Sequence, residues 1–401
     1  THRIKKRMPE DQSEMSSVFT DAECTELAVR MGHGECERAA VRLVRGEYIV
    51  GLHERGEPMP PRQQIPAHAF HDGEIGAGSD VEIIAISYPW LSREHPDPEQ
   101  FHLDTLAPLL KAYQETYHPP VVFLDFMSLF QGERTADQAE LFRRGLRAIN
   151  LIYGQQHVQV WCLTRVPPAT DRGYFDRGWC AFELTVASAL KMSVHLLDLG
   201  MLEVAPSEVT DFVSQVAQVC KAGRRPPLTP DAFAAMLATK HFTNGHTDHE
   251  LVTGLYADFV RSALGAAEAL DFGCLKWKDA EAGQLADALP LCPHLKSLSL
   301  DNNGFTDQGV AALAARLPSG LEALVLSCNE FGAAGATALL ASLPSSVRVL
   351  NLDKNGLSCP VCNARTRVAV EQQARYFQGE AKAVRAEVKA ARRAAAAAAR
   401  S

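Results

Sequence analysis

The sequence lacks any long uninterrupted run of apolar residues. No stretch approaches the roughly 18 apolar residues that a membrane-spanning helix needs, and the C-terminal alanine run is flanked by Arg393 and Arg400. The chain also has no large excess of acidic or basic residues. Its 401 residues carry a net charge of only −8, which is too small to indicate a membrane or nucleic-acid partner. With 46% hydrophobic and 22% charged residues, the chain is predicted to be a soluble globular protein of two to four domains.

Nucleotide-binding glycine motifs are missing as well. The P-loop pattern G-x-x-x-x-G-K-[ST] does not occur, and the glycines of "GEIGAGSD" (73–80) precede a predicted strand, which is typical of a loop. The ten cysteines are scattered, mostly in apolar runs, and indicate reduced thiols in a cytoplasmic protein. Because the chain begins at Thr1 rather than Met, import into an organelle remains open at this stage.

The pattern of strands and helices predicts an α/β domain over residues 81–205. Buried strands are expected near 81–88, 121–126, 158–163 and 194–199, with helical spacing between them, and this alternation favours a parallel sheet. Residues 1–80 are predicted to be a polar extension with a helix near 36–45 and a short strand near 47–51. Residues 206–268 carry helical patterns only, beginning with a helix predicted over 207–223, and are interpreted as a helical connector.

A 26-residue repeat follows at 269–358. Copies of L-x-x-L-x-L-x-x-N-x-[FL] start at Leu295, Leu321 and Val347, and "LDFGCLKWKDAEAGQLADALP" is a degenerate first copy. This is the leucine-rich-repeat pattern, with one strand and one helix in each unit and an asparagine ladder at the turns. Polar residues at the concave strand positions could seat a protein partner: Lys296, Ser299, Asp301, Glu322, Ser327, Arg348 and Asp353.

The C-terminal region, 359–401, is predicted to be a basic, alanine-rich helix. Between residues 363 and 401, nine Lys and Arg stand against three Glu, so the segment could touch RNA or an acidic partner, although a solvated terminal helix is the favoured interpretation. Cys359 and Cys362 form a single C-x-x-C without nearby partners for zinc. They are interpreted as two packed thiols at the end of the repeats, and no metal site is predicted.

One carboxylate interrupts the apolar face of a predicted helix. In "RGWCAFEL" (177–184), Glu183 falls on the stripe that Trp179 begins, so it needs a buried partner or a chemical role. The carboxyl ends of parallel strands share one edge, so Ser87, Trp90 and Asp125 are expected to surround Glu183 there. A carboxylate beside aromatic walls suits a ribosyl transition state. The alternative is an ion pair with Arg177, Arg143 or Arg144 that only orients the packing.

Four stretches in this order resemble the heterokaryon-incompatibility (HET) domain and its relative, the Toll/interleukin-receptor (TIR) domain. They are "AISYPW", "VFLDFMSLFQ", "ELFRRGLRAINLIYG" and "YFDRGWCAFELTVAS", and the last is similar to the TIR helix signature at Tyr174, Arg177, Trp179, Cys180, Glu183 and Leu184. The resemblance covers residues 81–200. It implies a flavodoxin-like sheet, a catalytic role for Glu183 as in TIR-type NAD hydrolases, and an NAD-like ligand held by Ser87, Tyr88, Trp90, Asp125, Phe126 and Trp179.

Three hypotheses about function follow. The first is a non-catalytic signalling or interaction protein that binds protein partners through its repeats and associates with its own copies through the HET/TIR-like domain. The second is an NAD glycohydrolase that uses Glu183, with NAD as substrate and no other cofactor. The third is an architectural subunit of a large complex. Phe182 stands where HET domains usually carry Gln and narrows the space for a nicotinamide ring, which disfavours the second hypothesis.

Overall fold

The computed structural model describes residues 39–72, 81–243 and 245–356. Cys359, Cys362 and the basic C-terminal region lie outside the described residues, as does the beginning of the predicted helix near 36–45. The chain divides into two compact units, Thr1–Ala266 and Ala267–Ser401.

The first unit begins with an edge strand and a helix whose order differs from the prediction. Strand β1 spans Val44–Arg45, where a helix is predicted, and helix α1 spans Gly46–Glu54, where a strand is predicted. A short apolar run such as "YIVGL" does not distinguish the two structures by its spacing. Long-range pairing decides instead, because Val44 and Arg45 pair with Val122 and Val121 of another strand.

Four further strands complete the sheet of the first unit. They are β2 (Ile83–Ser87), β3 (Val121–Phe123), β4 (Gln159–Cys162) and β5 (Leu196–Asp198), each within a predicted segment. The sheet order is β1-β3-β2-β4-β5, and β2 to β5 are parallel to one another. The fold class is therefore α/β, but the sheet is mixed rather than purely parallel, since β1 joins β3 in antiparallel orientation.

Helices connect the strands of this sheet. They are α2 (Phe101–Thr116), the single turn α3 (Asp125–Ser128), α4 (Ala136–Gly154) and α5 (Gly178–Leu190). Helix α4 begins with a capping box in which the Thr135 side chain accepts from the Gln138 amide. Helix α5 is buried along nearly its whole length, with Trp179 and Ala181 partly exposed, so no face of it is free for solvent.

The predicted helical connector packs into the first unit. Helix α6 spans Pro230–Leu237 and helix α7 spans His246–Phe259, followed by a π-helical turn. The long helix predicted over 207–223 is wrong: Val213–Ala217 forms one π-helical turn, and the chain then returns to extended pairing beside β5. The helical spacing of Phe212, Val216 and Cys220 correctly predicts that these residues are buried, but it does not predict their backbone conformation.

The second unit is a stack of strand–helix repeats. Its strands are β6 (Ala269–Asp271), β7 (Ser297–Ser299), β8 (Ala323–Val325) and β9 (Val349–Asn351), and its helices are α8 (Asp279–Ala288), α9 (Asp307–Ala314) and α10 (Ala333–Ser342). The strands are parallel, with Leu270, Leu298, Leu324 and Leu350 in one register. This register, and the degenerate copy as the first repeat, are confirmed.

An asparagine ladder joins successive repeats at the turns after the strands. The Asn303 amide nitrogen donates to the Phe272 carbonyl, and Asn329 and Asn355 donate in the same way to Leu300 and Leu326 of the preceding repeat. Each asparagine is buried, so its side chain satisfies backbone groups that water does not reach.

Among the residues that the structure describes, no helix is both long enough and apolar enough to cross a membrane.

Candidate functional site

Glu183 lies inside the first unit at the carboxyl end of β2. It projects from the second turn of α5, and its Oε2 accepts a 2.6 Å hydrogen bond from the Ser87 hydroxyl. Only 8% of the residue is exposed. The expected contact between Ser87 and Glu183 at this edge of the sheet is therefore confirmed, and the carboxyl group is buried rather than open to solvent.

Three further side chains extend this contact into a larger buried polar group. The Tyr174 hydroxyl lies 2.6 Å from the Ser87 hydroxyl, and Tyr174 lowers the pKa of the neighbouring Cys162 thiol. Tyr153 lowers the pKa of the neighbouring Glu183 carboxyl group and donates its hydroxyl proton to the Ile86 carbonyl over 2.8 Å. This set, Cys162–Tyr174–Ser87–Glu183–Tyr153, is called the buried polar chain below.

The direction of the hydrogen bonds around Ser87 follows from its single hydroxyl proton. Ser87 donates this proton to Glu183, so the proton between Tyr174 and Ser87 belongs to Tyr174. Glu183 is therefore the final acceptor of the hydrogen bonds that run from Tyr174 through Ser87.

The electrostatic environment favours the neutral form of the Glu183 carboxyl group. Burial raises the pKa of Glu183 well above its usual range, and the hydrogen bond from Ser87 offsets only part of this effect. The nearby Asp125 raises the pKa of Glu183 further. Burial also raises the pKa of the Cys162 thiol to about 12, so this thiol stays protonated and unreactive at neutral pH.

A second carboxyl group is held beside the buried polar chain by neutral donors. The Asp125 carboxylate accepts from the Tyr88 hydroxyl at 2.6 Å, from the Trp90 indole at 3.0 Å and from the Phe126 amide at 2.6 Å. Burial raises the pKa of Asp125, and these three hydrogen bonds oppose the increase. Gln131 fixes the loop after α3 by donating to the carbonyl of Asp125.

The aromatic residues predicted to line an NAD-like site are distributed differently. Trp90 and Phe126 pack edge to face over 5.6 Å beside Asp125. Trp179 does not join the buried polar chain; its indole donates to Asp248 of α7 over 3.2 Å. Helix α5 therefore directs Glu183 to the sheet and Trp179 to α7, and the single buried stripe expected from the sequence is wrong because both of these faces are covered.

The ion pair proposed as the structural alternative for Glu183 is also wrong. The Arg177 guanidinium reaches the Arg172 carbonyl at 3.5 Å, and Arg143 pairs with Glu140 on the surface of α4. No ion pair within the described ranges 39–72, 81–243 and 245–356 includes Glu183. Neutral hydroxyl groups occupy the positions where the sequence suggested a guanidinium.

A cleft of about 310 Å³ lies at the other end of the sheet. It is lined by Arg45, Glu47, His71, Val81, His118, Pro119, Pro120 and Val121. These residues flank the start of β3, whereas Ser87 and Asp125 follow the ends of β2 and β3. Glu183 does not border this cleft, so the carboxyl group and the open space are separate features.

Sequence reasoning did not assign three members of the buried polar chain to the site. The sequence predicts only a strand at 158–163 around Cys162, a helical stretch that contains Tyr153, and a place for Tyr174 in a family signature. Tyr153 and Tyr174 are 1% exposed, and their hydroxyl groups need partners. A tyrosine on a predicted core face is the signal that could have pointed to a buried polar contact.

The candidate partner-binding residues of the second unit form two groups. The first group lies just before the strands, at equivalent positions in successive repeats: Glu268, Lys296, Glu322 and Arg348. The sign of the charge therefore alternates from one repeat to the next. Lys296 pairs with Glu268 at 2.7 Å. The remaining four candidates lie on the side of the strands opposite the buried leucines, and this surface is called the open face: Ser299, Asp301, Ser327 and Asp353.

Comparison with known proteins matches the second unit. The family model described as "Leucine Rich repeat" matches residues 291–314 and 321–340. These residues are leucine-rich repeats. No curated protein matches the chain. A solved structure titled "Leiomodin-1 Actin-Binding Site 2 (ABS2)" is similar over 33% of this chain and 92% of its own, with 14% identity and a TM-score of 0.25.

Proposed function

We propose that this chain is a non-catalytic interaction protein in which a HET/TIR-like α/β domain is joined to a leucine-rich-repeat surface that binds protein partners. The observation that carries the proposal is the open face of the repeats. Four strands in one register present mostly small side chains there, polar in Asp271, Ser297, Ser299 and Asn351 and apolar in Ala269, Ala323, Val325 and Val349, and the leucines of the inner strands are buried. Repeated short side chains on a sheet leave room for the side chains of a partner.

The HET/TIR-like assignment rests on the order of the strands and on the position of Glu183. The four parallel strands β2 to β5 have the order second, first, third, fourth, which is the order at the start of a flavodoxin-like sheet. Helix α5 follows the third of them and brings Glu183 to the end of the first. Both features agree with the motifs at residues 81–200.

The absence of catalysis is inferred from the state of Glu183. An NAD glycohydrolase needs a carboxylate that faces the ribose and stabilises positive charge. Glu183 is instead closed over, and burial raises its pKa well above the usual range. A neutral acid without access to solvent is poorly suited to that chemistry.

The catalytic part of the proposal is tested with the purified full-length chain and NAD. Free nicotinamide is expected to stay at the level of a protein-free blank over hours. Nicotinamide release that disappears in the Glu183→Gln variant would replace the proposal with the glycohydrolase hypothesis. Release that persists in that variant would indicate a contaminating enzyme.

The interaction part is tested by charge reversal on the open face. Partners captured by the wild-type chain should be lost from Asp301→Lys. They should be retained by Asp287→Lys, which makes the same change on an exposed position of α8. Equal loss from both variants, or from neither, would contradict binding through the open face. Sedimentation of the wild-type chain at increasing concentration tests self-association of the α/β domain.

A further inference from the structure

Basic side chains gather beside the start of α5. Arg172 and Arg177 flank the short 3₁₀ turn Tyr174–Asp176, and His241 lies in the segment before α7. The Arg172 Nη1 donates to the His241 Nε2 over 3.2 Å, and the Arg177 Nη2 donates to the Arg172 carbonyl over 3.5 Å. These three residues, Arg172, Arg177 and His241, are called the basic cluster below.

Backbone pairing holds the two segments of the basic cluster together. The Gly178 amide donates to the His241 carbonyl over 2.9 Å, and the His241 amide donates to the Asp176 carbonyl over 2.8 Å. The segments approach closely at Gly178, where a Cβ atom would clash with the Phe242 ring. The fold therefore fixes the relative backbone positions of Arg177 and His241.

The basic cluster has no acidic partner in the part of the chain that the structure describes. No ion pair there includes Arg172 or Arg177. The neighbouring Asp176 accepts from the Gly173 amide over 3.0 Å. The Arg177 Nε is buried and has no acceptor among the described residues. A buried donor without an acceptor costs free energy, which a bound acceptor would restore.

The geometry of the basic cluster makes His241 neutral. A guanidinium only donates, so the His241 Nε2 is the acceptor and the imidazole carries its proton on Nδ1. Desolvation, Arg172 and Arg177 all lower the pKa of His241 below its usual value. The two guanidinium groups therefore repel a further positive charge, and a bound anion would reduce this repulsion.

We propose that the basic cluster binds the phosphate group of a phosphate monoester. This group carries a charge of about −1.5 to −2 at neutral pH and several acceptor oxygens, which suit the planar donors of two guanidinium groups. The cluster lies between β4 and α5, at the edge of a parallel sheet where ligands bind. The proposed site is independent of Glu183 and of the open face.

An exposed aromatic side chain accompanies the basic cluster. Phe175 lies in the 3₁₀ turn between the two arginines, and it is 48% exposed. Its ring offers an apolar contact to the molecule that carries the phosphate. Phosphorylated protein side chains and small phosphate monoesters share this chemistry, so the experiment includes a probe for each source.

Calorimetric titration of the full-length chain with inorganic phosphate at neutral pH and constant ionic strength tests the site. We expect saturable binding by the wild type and a loss of about tenfold or more in affinity for Arg172→Gln and for Arg177→Gln, because each removes a charged donor. Arg261→Gln is the matched control, since this exposed arginine pairs with Asp258 beyond the far end of α7. It should bind phosphate as the wild type does.

Absence of saturable binding by the wild type, or equal affinity in all four proteins, would overturn the proposal. Acetate that binds as tightly as phosphate would overturn the assignment to a phosphate group. A phosphoserine peptide that binds about tenfold more tightly than O-phosphoserine would assign the site to a phosphorylated protein segment. Equal affinity of these two probes would assign it to a small phosphate monoester.

An NMR titration of the histidine side chains keeps the test decisive if Arg177→Gln does not fold. Phosphate should raise the pKa of His241 in the wild-type chain, because the anion offsets the charge of the two guanidinium groups. The imidazole signals of His68, whose carbonyl accepts from Arg45 beside β1, should stay unchanged. An unchanged His241 signal, or an equal response at both histidines, would overturn the proposal.

Discussion

The two units differ in the sequence separation between the residues that form their buried hydrogen bonds. In the repeat unit, Asn329 donates to a carbonyl 29 residues away, and the same contact recurs in the next repeat at Asn355. In the α/β unit, the hydrogen bond between Ser87 and Glu183 bridges 96 residues and occurs once. A contact that recurs at a fixed period is visible in the sequence, whereas a single long-range contact is not.

The units also use buried polar groups differently. The asparagines of the repeats satisfy backbone groups at a turn, so their partners follow from the repeat itself. The buried polar chain pairs side chains from two strands, two helices and a short 3₁₀ turn. We expect substitutions in the repeats to act locally and substitutions in the polar chain to depend on pH.

The largest expected effect is a cavity in the repeat core. Leu324→Ala should lower the free energy of unfolding of the repeat unit by about 2–5 kcal/mol, because Leu324 is fully buried between neighbouring repeats. Leu350→Ala at the equivalent, partly exposed position should cost clearly less. Urea denaturation measures both. A cost for Leu350 equal to that for Leu324 would show that Leu350 is just as well covered in solution.

The next effect concerns the centre of the buried polar chain. Ser87→Ala removes the donor to Glu183 and the acceptor for Tyr174, and should destabilise the α/β unit by about 1–3 kcal/mol. Ser299→Ala, on the open face of the repeats, is the matched control and should change stability by less than about 0.5 kcal/mol. Equal costs would mean that burial does not distinguish the two hydroxyl groups.

Much of the fold could be predicted because burial leaves a periodic trace. The strands at 83–87, 121–123, 159–162 and 196–198 fall within buried apolar runs, and the 26-residue repeat predicts the register of Leu298, Leu324 and Leu350. The helix predicted over 207–223 fails because Phe212, Val216 and Cys220 are buried at helical spacing without forming an α-helix. The spacing of apolar residues predicts which side chains are buried, whereas the backbone conformation depends on pairing with other segments of the chain.

The sequence predicts the location of the candidate site but not the hydrogen-bond partners within it. The rule that ligand crevices lie at the carboxyl ends of parallel strands brought Ser87, Asp125 and Glu183 to one edge. The partners of Glu183 could not be predicted, because a guanidinium and two hydroxyl groups are equally consistent with the residue types nearby. The choice depends on where α4 and α5 pack, which places Tyr153 beside Glu183 and leaves Arg177 at the start of α5.

A smaller effect is expected at a buried lysine of the α/β unit. Lys191 is fully buried, its amino group donates to the Gln155 carbonyl, and burial lowers its pKa well below the usual value. The folded state therefore binds fewer protons than the unfolded state, and stability should rise as pH increases from the lowered pKa toward about 10.4. Lys191→Met should abolish this rise and stabilise the fold by about 1–2 kcal/mol at neutral pH.

Urea denaturation at several pH values between 7 and 10 measures the difference between Lys191→Met and wild type. The exposed Lys276 of the repeat unit provides the control, because Lys276→Met should shift both ends of the pH range equally. A constant difference across the range for Lys191→Met would contradict a buried neutral amine.

The smallest effect at neutral pH is expected for Glu183→Gln. Loss of a buried ion pair would cost several kcal/mol, but Glu183 has no guanidinium partner among the described residues, and the amide keeps the acceptor for Ser87. The change in the free energy of unfolding at pH 7 should therefore be below about 1 kcal/mol.

The same variant should also change the pH dependence of stability. Because the pKa of Glu183 is raised in the folded state, that state binds more protons than the unfolded state between pH of about 4.3 and the raised pKa. Wild-type stability should fall with rising pH across this window, by at most about 1.4 kcal/mol per pH unit, and then level off. The variant lacks this dependence, so it should gain on wild type as pH rises from 4 to 8. A difference that instead favours wild type increasingly toward pH 8 would mean that Glu183 is ionised in the folded protein.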